Sequence, residues 1–124
     1  MIPGQKENHP TFKRSFLFAF QGLRVAIKTE RNIKVMISAG ACAVIAGFIV
    51  GLDLVEWALV VLCCGVVITA ELVNTAIETV VDLVSPEFHP LAGRAKDIAA
   101  AAVWVLSLAA ALVGILVFSR ALFF

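Results

Sequence analysis

Apolar residues follow two patterns along this chain. Between residues 12 and 29, Phe12, Phe16, Phe20, Leu23 and Ile27 recur at spacings of four, four, three and four. At about 100° per residue they share one helix face. Lys13, Arg14, Gln21, Arg24 and Lys28 fall beside or opposite that face. The spacing predicts a basic, aromatic-bearing amphipathic helix suited to a membrane surface, with packing against protein as the alternative. Beyond it the pattern changes to long apolar runs, at about residues 33–52, 57–84 and 98–118. Each meets the requirement of roughly 20 apolar residues for a membrane-spanning helix. Residues 1–11 carry Pro3, Gly4 and Pro10 among polar residues and read as a flexible tail. The expected fold is an all-α integral membrane protein: three transmembrane helices plus an N-terminal amphipathic surface helix, forming one domain over residues 12–124.

Composition agrees with a bilayer as solvent. The chain is 61% hydrophobic and 15% charged, where a soluble domain is about half apolar and a quarter charged. A net charge of +1 gives no reason to expect nucleic acid as a partner. Cys42, Cys63 and Cys64 lie inside apolar runs without zinc-ligand spacing, so they read as small hydrophobes. The polar start of the chain lacks a signal-peptide pattern, and the first apolar run is expected to stay as an anchor. Lys6, Lys13, Arg14, Arg24, Lys28, Arg31 and Lys34 precede or open the first span, and Arg94 and Lys96 lie in the second loop. The first loop carries Asp53 and Glu56 without Lys or Arg. The positive-inside rule then predicts a cytoplasmic N-terminus and second loop, with the C-terminus opposite despite Arg120.

The second apolar run ends in AELVNTAIETVVDLV, where Glu71, Asn74, Glu78 and Asp82 sit at i, i+3, i+7 and i+11. Helical spacing puts all four on one stripe, with Thr75 beside them. If the span begins at Trp57, Glu71 lies about 21 Å further along at 1.5 Å per residue, still within a hydrocarbon core of about 30 Å. Glu78 and Asp82 fall nearer its edge. A carboxylate at membrane depth is costly and marks a functional site by default. Asn74 alone would read as an interhelical hydrogen bond. Glu30 before the first span, and Arg94, Lys96 and Asp97 before the third, are expected on the same side. Together they would supply oxygen ligands for magnesium and cations for phosphate, a collection that suits phosphoryl transfer, although singly such charges at helix ends are usually solvated. No GxxxxGK(S/T) loop and no HRD or DFG set occurs, so a nucleotide site would have to be built from helix faces. His89, between Pro86 and Pro90, reads as a turn residue on its own, and His9 as incidental.

ELVNTAIETVVD resembles the signature of the small bacterial membrane diacylglycerol kinases, ExxN(S/T)AxExxxD, and GRAKDIAAAAV resembles the segment that follows it. FAFQGLRVAIKTERNIK and VSPEFHPLA are similar to the Gram-positive branch, the undecaprenol kinases. The resemblance covers about residues 12–120. It implies a multi-pass homotrimer of the bacterial cell membrane, with sites shared between subunits. By motif position it implies Glu71 as the general base on a lipid hydroxyl. Glu30 and Glu78 would hold Mg2+ on ATP, supported by Asn74 and Asp82. Glu87, Phe88, His89, Lys96 and Asp97 match nucleotide-contacting positions. Thr11 stands where the Gram-negative branch has an arginine, for which Lys13 or Arg14 would substitute; Arg24 is a further basic candidate on that helix. Met36 stands where many Gram-positive relatives carry histidine.

The expected activity is transfer of the γ-phosphoryl group of ATP to undecaprenol, with diacylglycerol as the alternative alcohol. Readings of a different class are a small oligomeric proton-coupled transporter using Glu71 as its carrier, and a structural membrane subunit. A transporter needs no magnesium-phosphate cluster, and a structural subunit would lose only assembly when Glu71 is changed.

Overall fold

The computed structural model describes residues 11–124. Of the tail expected at 1–11, residues 1–10 lie outside the described residues. Four helices follow in order: α1 (Phe12–Thr29), α2 (Arg31–Val50), α3 (Leu54–Val84) and α4 (Pro90–Phe123). The last three are long and apolar enough to cross a membrane.

Local chemistry sets the boundaries. The Thr11 hydroxyl accepts from the Arg14 backbone N–H at 3.4 Å and caps the start of α1. A single residue separates α1 from α2: Glu30, in extended conformation with φ −107° and ψ 119°. Its backbone N–H donates to Ala26 at 2.8 Å, while its side chain makes no capping bond. The α1–α2 corner therefore leaves the Glu30 carboxylate available for other work. Helix α2 ends at Gly51, which takes φ 73° and terminates the helix in the left-handed conformation that glycine tolerates best. The apolar run expected to reach residue 52 therefore stops being helical two residues sooner, at Val50.

Helix α3 opens with a capping box: Asp53 accepts from the Glu56 N–H at 2.8 Å, and Glu56 accepts in return from the Asp53 N–H at 3.3 Å. This starts the helix at Leu54, ahead of the apolar run expected from 57. Helix α4 starts at Pro90, upstream of the span expected from about 98, and continues past 118 to Phe123. His89 Nδ1 accepts from the Leu91 N–H at 3.1 Å, and Pro90 occupies the first turn, where its missing donor costs nothing. The polar segment PLAGRAKD is thereby helical, although the hydropathy pattern registers only the apolar part.

Helices α2 and α3 run antiparallel in close contact. A methyl group on Gly47 would come within 2.8 Å of the Trp57 ring, and one on Gly40 within 3.4 Å of Cys64 Sγ. Phe48 and Trp57 stack in a tilted pair with centroids 4.7 Å apart. Leu52, Val60 and Val117 form a buried cluster where α2, α3 and α4 meet at the Asp53 end. Ala26 and Ile33 are buried at the other end, beside the α1–α2 corner. Most large apolar side chains face outward, the opposite of a soluble core. On α1, Phe12 is 87% exposed and Phe16 and Phe20 are each 72% exposed, so the other described residues do not cover that apolar face.

Arg120 near the end of α4 returns to the start of α3. Its Nη1 donates to Glu56 and, at 3.1 Å, to Asp53 Oδ2. Glu56 is only 5% exposed, so the guanidinium compensates a carboxylate that has little access to water. The Asp53 carboxyl is held below its ordinary range, mainly by the Glu56 backbone N–H, with the Arg120 charge assisting against partial desolvation.

Two outcomes follow from this ion cluster. Arg120→Leu should destabilise the protein by about 1–3 kcal/mol because Glu56 stays buried and unpaired. Adding Glu56→Leu should restore much of that loss in detergent unfolding measurements. Because Asp53 has a lowered folded-state pKa, its contribution is present at neutral pH and fades as pH falls through that lowered value. An Asp53→Asn variant should therefore show a flatter dependence of stability on acid pH than the wild type.

Candidate active site

The acidic stripe lies along the last half of α3, and burial falls steadily along it. Glu71 is 2% exposed and Asn74 is 7% exposed; Glu78 is half-buried and Asp82 exposed. From Glu71 to Glu78 the helix advances about 10 Å. Thr75 sits in the same turns and donates its hydroxyl to the Glu71 carbonyl at 3.0 Å, and Thr79 does the same to Thr75 at 2.8 Å. These side chains satisfy themselves on their own helix, leaving the stripe to the carboxylates and Asn74.

The α1–α2 corner closes over the buried end of the stripe. Glu30 and Glu78 lie near enough to act on the Glu71 charge, and the amide of Asn32 is a further polar neighbour. Asn74 Nδ2 donates to Glu78 Oε1 at 3.2 Å. Asn74 Oδ1 is buried without a partner. Three carboxylates and an unsatisfied amide oxygen thus gather here, and among the described residues no Lys or Arg is bonded to Glu71 or Glu78. Among the described residues, no three His, Cys, Asp or Glu side chains form a ready-made metal cage. Two carboxylates with open positions suit magnesium, which keeps water and phosphate oxygens as its remaining ligands.

The structure brings Glu30, Glu71, Asn74 and Glu78 into one group. The other candidates gather where α3 meets α4. Lys96 pairs with Asp82 across the two helices. Between them runs the turn at Ser85–His89, where the Ser85 hydroxyl donates to the Glu87 carbonyl at 2.8 Å. Phe88 is almost fully exposed and Glu87 and Asp97 are exposed. His89 spends its Nδ1 on the α4 cap, a structural duty beyond the turn position read from its proline neighbours. Arg14 and Arg24 lie on α1, whose exposed side they share with Lys13 and Lys28. Sequence reasoning passed over Asn32. The available signal was a lone amide at the head of an apolar run, directly after Glu30. Ser107, in the middle of α4 with a buried hydroxyl oxygen lacking a partner, was likewise missed.

The sequence matches the family model for prokaryotic diacylglycerol kinase over residues 17–118, which takes in the corner, the stripe and the α3–α4 turn. The chain belongs to the prokaryotic diacylglycerol kinase family. It is 41% identical over 107 residues to the undecaprenol kinase of Bacillus subtilis, covering 86% of this chain and 87% of that one. It is 41% identical over 102 residues to the diacylglycerol kinase of Helicobacter pylori, covering 82% and 79% of the two chains. With the diacylglycerol kinase of Escherichia coli K12 the identity is 34% over 88 residues, covering 71% and 72%.

The capping duty of His89 can be separated from any contact with a ligand. His89→Ala should cost about 1 kcal/mol of stability by leaving the α4 N-terminus uncapped, whereas His89→Asn should keep most of it. Thermal unfolding in detergent without nucleotide reads this directly.

Proposed function

We propose that this protein transfers the γ-phosphoryl group of ATP to undecaprenol, giving undecaprenyl phosphate and ADP. The observation that carries the reading is the gradient along α3: a buried carboxylate at Glu71 and a half-buried one at Glu78, with Glu30 brought near Glu71 by the α1–α2 corner. Glu71 accepts the proton of the lipid hydroxyl. The freed oxygen attacks the γ-phosphorus, and ADP departs as that bond forms. Burial keeps water from competing as the acceptor of the phosphoryl group.

Glu30 and Glu78 would hold Mg2+, with Asn74 Oδ1 as a further oxygen donor in reach of the group. When bound, the ion supplies charge neutralisation on the phosphate oxygens. Glu87, Phe88, His89, Lys96 and Asp97 hold the nucleotide around the α3–α4 turn. Lys96 serves the phosphates from its station on Asp82, and Asp82 keeps that ammonium in place. The basic residues of α1 and the α3–α4 loop support a cytoplasmic placement for this end, where ATP is available. The uncovered phenylalanine face of α1 supports a helix lying in the membrane surface. The working unit is a homotrimer in the bacterial cell membrane, an assignment that follows the family.

Undecaprenol is favoured by the similarity to the Bacillus subtilis enzyme over nearly the whole of both chains. Diacylglycerol is the second reading, supported by similarity to diacylglycerol kinases at comparable identity. Labelled ATP offered with both alcohols in one detergent mixture distinguishes them by the product that becomes labelled.

Glu71→Gln should remove turnover by at least about 100-fold, the scale of a lost general base, while Mg-ATP binding measured by calorimetry survives. Glu78→Gln should weaken Mg-ATP binding itself. Wild-type turnover at saturating Mg-ATP in either variant would contradict the role given to that residue.

A further inference from the structure

A carboxylate that takes up a proton needs its oxygens held, and a buried one depends on neighbouring donors to hold them. Glu71 is 2% exposed. The polar side chains that follow it on α3 are directed elsewhere. The Thr75 hydroxyl donates to the Glu71 backbone carbonyl, the Thr79 hydroxyl to the Thr75 carbonyl, and Asn74 Nδ2 to Glu78. Among the described residues, Glu30 and Glu78 are the acids that act on Glu71, and ionised carboxylates only accept. The remaining polar neighbour is Asn32, whose side-chain amide carries N–H donors.

The chain places this amide by a short path. Glu30 interrupts the helix for one residue, α2 begins at Arg31, and Asn32 falls in its first turn. Ile33 beside it is fully buried, which pins this end of α2 in the packing. Asn32 itself is exposed, so it stands at the border between the buried carboxylate and the outside of the chain. The first turn of a helix has a preference of its own: its unpaired N–H groups favour an acid. Helix stability would therefore be served as well by aspartate at this position. A donor toward Glu71 would not.

We propose that Asn32 is a positioning residue for Glu71, its side-chain N–H holding one carboxylate oxygen so that the other is presented to the lipid hydroxyl. The inference rests on the kinase reading above and deepens it. Contacts of this kind commonly tighten only when substrate is in place. An amide donor serves both states of the carboxyl, the ionised one before proton transfer and the neutral one after it.

With purified full-length protein, Asn32→Ala should lower kcat at least about tenfold, the scale of one lost hydrogen bond to a charged group, with KM for Mg-ATP at its wild-type value. Asn32→Gln keeps an amide donor on a longer stem and should recover part of that loss. Asn32→Asp separates positioning from helix stability. It keeps the shape of the side chain and suits the helix end, so its thermal stability in detergent should match or exceed the wild type. Its kcat should nevertheless fall below that of Asn32→Ala, because a further acid then faces Glu71. A second measurement uses the wild type and does not depend on any variant folding. With Mg2+, a non-hydrolysable ATP analogue and undecaprenol bound, solid-state NMR should couple the Asn32 side-chain nitrogen to the Glu71 carboxyl carbon at hydrogen-bonded separation. Wild-type kcat in Asn32→Ala or Asn32→Asp, or absence of that coupling while phosphate transfer proceeds, overturns the positioning role and leaves the kinase intact. A loss confined to KM for Mg-ATP also overturns it, in favour of a place beside the nucleotide. A kcat that follows thermal stability across the variants overturns it in favour of a helix-end role. Absence of transfer by the wild type to every lipid alcohol overturns the kinase reading and this one with it.

Discussion

Two glutamates among the described residues are buried, and their surroundings are opposite. Glu56 has a guanidinium beside it, donated from the far end of α4. Among the described residues, Glu71 has acids and an amide as its polar neighbours: Glu30, Glu78 and Asn32. A buried charge with a bonded partner is a structural element; a buried charge among like charges is an unfinished one. The bilayer sharpens the difference, because uncompensated carboxylates within it are tolerated only where something else comes to them. In the function proposed above, a metal-bound triphosphate and a lipid hydroxyl are the two partners that would complete this cluster.

The rest of the architecture holds that arrangement in place. The antiparallel register of α2 on α3 is fixed where backbones come close: Trp57 lies over Gly47 and Cys64 over Gly40. The same register carries Asn32 to Glu71 and Met36 to the turn before it. At one end the Arg120 cluster ties α3 to α4, and at the other the Asp82–Lys96 pair does so. Between these ties α3 is an unbroken helix of 31 residues. Its continuity converts sequence spacing into position along one axis, so that seven residues separate the buried Glu71 from the half-buried Glu78.

Much of this was legible in the residues. The stripe on α3 followed from helical spacing alone, and the three spans followed from run length. Boundaries were less legible, because hydropathy marks where a helix is apolar and says nothing of polar turns held by a cap. His89 and Pro90 extend α4 far upstream, and Gly51 cuts α2 short, through backbone chemistry that averages out of a hydropathy window. Glu30 was identified by motif position, but its placement depends on a one-residue break in otherwise helical sequence. Arg120 was read as a lone charge against the predicted orientation. Its pairing with Asp53 and Glu56 joins residues more than sixty positions apart, a relation that no local pattern encodes. Asn32 escaped notice for the same reason: its importance lies in what α3 presents to it.

The most direct test replaces Mg2+ with Mn2+ on ATP and reads paramagnetic broadening of isotope-labelled carboxylates in the membrane-embedded protein. Glu30 and Glu78 should be broadened beyond detection, Glu71 strongly affected, and Asp53 and Glu56 at the opposite end unchanged. Broadening that spares Glu30 and Glu78, or that reaches the Asp53 end equally, would contradict a nucleotide site built on the acidic stripe of α3.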